Sequence, residues 1–173
     1  MNQSIDNESQ IFFYEQNYYP FSNFSSFQVN WKGYQWMTSE HAYHSEKFIN
    51  HPEIIELLKQ TTSAHDAFKI AMKNKDKYLE NWDDIKLGIM EQILLAKVEQ
   101  HPYVRKKLFD SGDKELIENS WRDSYWGWGE NKDGENHLGK LWMKIRTDLR
   151  SDMRFNTKNE FPPVSIYHDF NQV

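Results

Sequence analysis

NWDDIKLGIMEQILLAKVEQ, residues 81–100, is the stretch around which the rest of the chain can be arranged. Asn81 is a residue type that caps helices, Asp83 and Asp84 suit the positive end of the helix dipole, and no Pro lies between Asn81 and Pro102. Ile85, Ile89, Ile93 and Ala96, flanked by Met90, Leu94 and Val98, recur at helical spacing and put an apolar stripe along the segment. Downstream, residues 102–109 read as a further helix stopped at Ser111-Gly112, and residues 115–119 as a short strand or turn. A last helix opens near Asn136 and repeats Leu138, Leu141, Trp142, Ile145 and Leu149 on one face. Upstream, residues 51–60 and 63–72 form two short helices around a polar break, and a helix capped by Thr38 or Ser39 precedes them. IFFY at 11–14 and FQVNW at 27–31 read as short strands joined by a loop over 15–26. Five or six helices on a small sheet give an α+β fold, a single helix-rich domain over residues 11–150. Residues 1–10 are expected to be a mobile segment and 151–173, with Pro162-Pro163, an extension.

The 173 residues suit one domain. Charged residues make up 27% and mean hydropathy is −0.89, yet 16% are aromatic, with 7 Trp, 9 Tyr and 11 Phe. So many rings in a polar chain suggest a small core together with a stacking site for something flat. No apolar run is long enough to span a membrane and the start is polar, so the expectation is a cytoplasmic protein with no membrane partner. With no Cys, disulfides, thiolate catalysis and Cys-based zinc sites are excluded. A net charge of −5 disfavours avid non-specific binding to nucleic acid.

Three clusters carry possible chemistry. In Thr38-Ser39-Glu40-His41 with Lys47-Phe48, a helix puts Glu40, His44 and Lys47 at i, i+4 and i+7, so carboxylate, imidazole and ammonium share one face. The plainer reading is a carboxylate favouring the helix N-terminus beside ordinary surface neighbours. In residues 121–129, WRDSYWGWG, Trp and Gly alternate beside an Asp. A loop exposing aromatic faces for a planar group fits this better than a helix or strand, with a tryptophan-rich core corner as the alternative. In residues 134–139, GENHLG, free backbone N–H groups and the Asn136 amide could hold a phosphate or ribose oxygen, or Asn136 could simply cap the helix. His41 and His44 beside Glu40 lack the order and third ligand of a zinc motif, so neither a metal nor a cofactor is expected.

Taken in order, these pieces resemble the NADAR family. The resemblance rests on Phe21-Ser22-Asn23-Phe24, Gly33, Trp36, Thr38-Ser39-Glu40-His41, Lys47-Phe48 and Asn81-Trp82. It continues through Asp123-x-Tyr125-Trp126-Gly127-x-Gly129 and Gly134-x-Asn136-x-Leu138-Gly139 to Met143 and Arg146, covering about residues 11–150. Met37 stands where the family usually has Pro, and Ala71-Met72 where it usually has Gly-Arg. The resemblance implies an N-glycosidase cleaving the bond between ribose C1′ and a heterocyclic nitrogen. Ribosylamino-pyrimidine 5′-phosphates of riboflavin synthesis are the leading substrates, releasing ribose 5-phosphate. The alternatives are ADP-ribose removal from modified guanine, including ADP-ribosylated nucleic acid, and a non-catalytic module binding ADP-ribose or a related nucleotide.

Because the bond breaks through an oxocarbenium-like state, the resemblance makes Glu40 the base or electrostatic stabiliser, with Asp123 positioning ribose hydroxyls or water. Lys47 is either a phosphate-holding cation or a desolvated amine that attacks the sugar carbon. Trp126 is expected to stack on the departing ring, and Asn23, Trp36, His41, Gly127 and Asn136 to contact substrate.

Overall fold

A computed structural model of the chain describes residues 6–14 and 16–152. Its strands are β1 (Gln10–Phe13), β2 (Val29–Trp31), β3 (Tyr34–Trp36) and β4 (Glu115–Glu118). Its helices are α1 (Ser39–Glu46), α2 (Pro52–Lys59), α3 (Ala64–Lys73), α4 (Trp82–Gln100), α5 (Pro102–Asp110) and α6 (His137–Ser151), with 3-10 turns at Gln16–Phe21 and Lys75–Lys77. This is the expected α+β fold, a single helix-rich domain, with one change: the strands form two two-stranded sheets. β1 pairs in parallel with β4, from Gln10 opposite Glu115 to Phe13 opposite Glu118, so everything from β2 to α5 is the crossover between them. β2 and β3 form an antiparallel hairpin closed by Lys32 and Gly33, both at positive φ as the twist of a two-residue turn demands. β3 is an element the sequence pattern did not separate from its turn.

Ile11 and Phe13 of β1 and Leu116 of β4 meet Leu138, Trp142 and Ile145 of α6, all buried. Trp142 packs 5.2 Å from the Phe21 ring and donates its indole N–H to the Phe21 carbonyl at 2.9 Å, joining α6 to the loop after β1. α6 comes so close to β4 that a Cβ at Gly139 would lie 2.0 Å from the Leu116 carbonyl oxygen, a contact no side chain permits. Met90, Ile93, Leu94, Lys97 and Val98 are the buried residues in the body of α4, whereas Ile85 and Ile89 are half-buried. The stripe is therefore rotated from the isoleucine repeat, because α4 packs against α1, β2, α5 and α6 and not on one neighbour.

Residues 6–10, placed by the sequence in a mobile segment, are held by hydrogen bonds. Asp6 Oδ1 accepts from Phe12 N at 2.8 Å, and Asn7 Oδ1 accepts from Ser9 N and Gln10 N at 2.9 and 2.8 Å. Residues 1–5 and the extension from 153 onward lie outside the described residues.

Candidate active site

α1 reads SEHAYHSE, and all eight of its residues are buried. A helix this polar has no reason to be enclosed on packing grounds alone, since buried polar groups need partners. Thr38 caps it, accepting from His41 N at 3.4 Å, and Glu40 N donates to the Asn23 carbonyl at 3.1 Å. The Phe21-Ser22-Asn23-Phe24 segment is thus tied to the start of the helix that carries Glu40.

The i, i+4, i+7 arrangement holds. His44 Nε2 lies 2.7 Å from Glu40 Oε1, with both side chains nearly enclosed. Burial lowers the His44 pKa, against the upward pull of Glu40. Lys47 Nζ sits in an aromatic box, 4.8 Å from the Tyr43 ring centre, 4.6 Å from Tyr78 and 5.4 Å from Trp82, and donates to Tyr78 Oη at 3.4 Å. Burial pushes Lys47 down to about 8 although the Glu40 carboxylate pulls it up, and the cations Lys86 and Lys75 add to the lowering. Burial with the Glu40 charge also pushes the Tyr78 hydroxyl up to about 12.

The loop over residues 121–129 closes over this helix from the far end of the chain. Asp123 Oδ1 accepts from Tyr125 N and Trp126 N at 2.9 and 2.8 Å, folding the loop on itself. The N–H groups of residues 134–138 at the start of α6 donate to the carbonyls of Trp128, Ser124, Gly127, Tyr125 and Trp126. These donors, expected to be open to a phosphate, instead anchor the aromatic loop. Trp126 is fixed edge-on to Tyr43 with ring centres 5.6 Å apart. Trp128 belongs to the core-corner alternative, bonded to Asn119 and 4.8 Å from the Phe12 ring, while Trp121 is 59% exposed.

Several expected substrate contacts have other partners. Asn136 donates to the Leu116 carbonyl at 2.9 Å and accepts from Glu118 N at 3.0 Å, so both ends of its amide hold the main chain of β4. His41 is fully buried with Nδ1 at 2.8 Å from Thr38 Oγ1 and Nε2 at 3.0 Å from Thr61 Oγ1, which leaves no ring nitrogen for a ligand. Gly127 is required by shape, since a Cβ there would lie 2.8 Å from the Glu118 carbonyl. Trp36 is buried beside Tyr34, lining a separate cavity of about 200 Å³ with Ser45 and Glu46, on the side of α1 away from Glu40. Asn23 keeps a ligand-compatible group: Nδ2 contacts Met90 Sδ at 3.3 Å, while the buried Oδ1 has no partner among the described residues.

What unites the two halves of the site is a residue the sequence reading passed over. Glu118, the last residue of β4, is 8% exposed, and the Asp123 and Glu40 carboxylates both act on it through space. The fields of Glu40 and Asp123, 83 positions apart in the sequence, therefore overlap at Glu118. Among the described residues no group of three or more His, Asp or Glu is arranged to hold a metal, and no helix is long and apolar enough to cross a membrane.

The NADAR domain model matches residues 12–150. An N-glycosidase of Nostoc punctiforme is 37% identical over 145 residues, which span 82% of this chain and 93% of that protein. The N-glycosidase YbiA of Escherichia coli is 32% identical over 149 residues, spanning 85% and 92%. A riboflavin biosynthesis protein of Vibrio vulnificus is 30% identical over 151 residues, which are 86% of this chain and 41% of that longer one. The NMR structure of Escherichia coli YbiA superposes with a TM-score of 0.79 at 29% identity, covering 92% of this chain and 94% of that one. The enclosed polar helix, the anchored aromatic loop and these relationships agree: the chain belongs to the NADAR domain family and is a hydrolase acting on N-glycosyl bonds.

Proposed function

We propose that this protein hydrolyses the C1′–N bond of a ribosylamino-pyrimidine 5′-phosphate in the cytoplasm, releasing ribose 5-phosphate. The observation that carries the reading is the pairing of an enclosed carboxylate, Glu40, with a lysine whose amine is boxed by Tyr43, Tyr78 and Trp82. The riboflavin name of the Vibrio vulnificus relative supports the substrate class.

Lys47 is the nucleophile in this scheme. An amine at about 8 is about 10% neutral at pH 7, some hundreds of times more than an ordinary lysine provides. It takes C1′ as the nitrogen leaves, and Glu40 accepts the proton the amine sheds. Water then displaces Lys47 from C1′, with Glu40 returning that proton to the lysine nitrogen. Trp126 and Tyr43 form the wall for the departing ring. Ala71-Met72 supply no cation where the family has an arginine, but Lys75 and Lys86 lie close enough to act on the Lys47 charge and provide a positive rim for the phosphate.

The test is a sugar-release assay on a ribosylamino-pyrimidine 5′-phosphate and, in parallel, on ADP-ribosylated guanosine. Release from the first, reduced about 100-fold or more in Glu40→Gln, is the expected result. Release from the guanosine alone replaces the substrate, and an unaffected Glu40→Gln overturns the assignment of Glu40.

A further inference from the structure

The Glu40 and Asp123 carboxylates both act through space on a third carboxyl group, Glu118, and the surroundings of the three differ. Asp123 accepts two backbone N–H groups through Oδ1, and Glu40 meets His44 Nε2 and neighbours the Lys47 amine. Glu118 has neither kind of support: its Oε2 is buried without a hydrogen-bond partner among the described residues. Its backbone is nevertheless rigidly held. Asn136 Oδ1 accepts from its N–H at 3.0 Å, its carbonyl accepts from Trp128 N at 3.2 Å, and Gly127 packs directly on that carbonyl. Glu40 of α1 and Asp123 of the loop act on it as negative charges, while β1 and α6 bring main chain and the neutral Asn136 amide. Of adjacent carboxyls, the one with no donor and no cation is the one that retains a proton. Burial, then Asp123, then Glu40 push Glu118 up to about 8.

We propose that Glu118 is the general acid of the reaction, giving its proton to the nitrogen that leaves C1′. The inference rests on the N-glycosidase reading of this same site and supplies the proton that reading needs. As the C1′–N bond breaks, its electron pair stays on nitrogen, which takes the proton of Glu118. The Lys47 lone pair bonds to C1′, and the proton lost from that nitrogen goes to Glu40. Water next attacks C1′ and passes a proton to the Glu118 carboxylate, while Glu40 returns its proton to Lys47 as the C1′–Lys47 bond breaks. Each of the three groups ends the cycle in the state in which it began.

The test compares wild type with Glu118→Gln, which keeps the shape but has no acidic proton, on two probes. One is a ribosylamino-pyrimidine 5′-phosphate, whose nitrogen must gain a proton to leave. The other is an N-ribosylpyridinium 5′-phosphate, whose ring nitrogen leaves as neutral pyridine. On the first, kcat falls about 100-fold or more with KM within about threefold; on the second, the variant stays within about threefold of wild type. Equal losses on both probes, or no loss on the first, overturn Glu118 as the acid. Should wild type turn over only the first probe, the pH profile decides: loss of the alkaline limb in Glu118→Gln supports the assignment and its persistence overturns it. A wild-type protein silent on both overturns the N-glycosidase reading, a result distinct from an active wild type with an unaffected variant. A 13C NMR titration of the backbone-assigned Glu118 carboxyl needs neither variant nor substrate; a midpoint near 8 is expected, and one below about 6 refutes the proposal.

Discussion

Lys97 offers the sharpest test of the packing argument. Its ammonium is fully buried in α4, donating to the Ser22 carbonyl at 3.0 Å and to Ser25 Oγ at 2.7 Å, with the Phe27 ring centre 5.5 Å away. Burial alone pushes it down to about 7 from an ordinary 10.5. The unfolded chain then holds this proton up to about 10.5 while the folded chain releases it near 7, so folding is penalised most below pH 7 and the penalty fades as pH rises. Each tenfold change in proton affinity is about 1.4 kcal/mol, and integrating between pH 7 and 9 gives about 2 kcal/mol. Lys97→Met removes the titration but keeps the length of the side chain. The Ser22 carbonyl still accepts from Ser25 Oγ at 2.7 Å, so the segment carrying Asn23 keeps one of its ties. Urea unfolding of both proteins at pH 7, 8 and 9 measures the effect. Wild-type stability should gain about 2 kcal/mol on the variant across that range. A wild-type-minus-variant stability that stays flat or falls as pH rises would refute the claim that this lysine carries its charge at a desolvation cost.

The site itself sets three more outcomes. Lys47→Arg keeps a cation without a useful nucleophile, so turnover in the sugar-release assay should fall about 100-fold or more; retained turnover would exclude the lysine as nucleophile. Because Lys47 must lose a proton and Glu118 must keep one, with both near 8, kcat/KM should trace a narrow bell centred near pH 8; activity level from pH 6 to 10 would contradict both assignments. Asn136→Ala strips partners from the Leu116 carbonyl and Glu118 N–H and should cost about 2–4 kcal/mol in urea unfolding, whereas a residue acting only on substrate would leave stability unchanged.

The parts legible in the sequence are those set by neighbours along the chain. All six helices, the Thr38 cap and the shared face of Glu40, His44 and Lys47 follow from periodicity and capping chemistry, which act over a few residues. Two missed residues carried weak signals. Lys97 interrupts the apolar LLAKV run at a position on the buried side of α4, and Glu118 ends the otherwise apolar pair Leu116-Ile117. A charge in such a place reads as solvated until its surroundings are known.

The chain by itself therefore determined the helix-rich α+β class, the family resemblance and the local geometry of α1, because each depends on side-chain order and short-range spacing. Only the tertiary structure decided that β1 pairs with β4, that the N–H groups at the start of α6 hold the aromatic loop, and that Asn136 serves β4. It also decided that the Glu40 and Asp123 carboxylates both act on the buried Glu118. Those outcomes rest on desolvation and on which partner reaches each polar group first, quantities that arise only when separate segments are packed together.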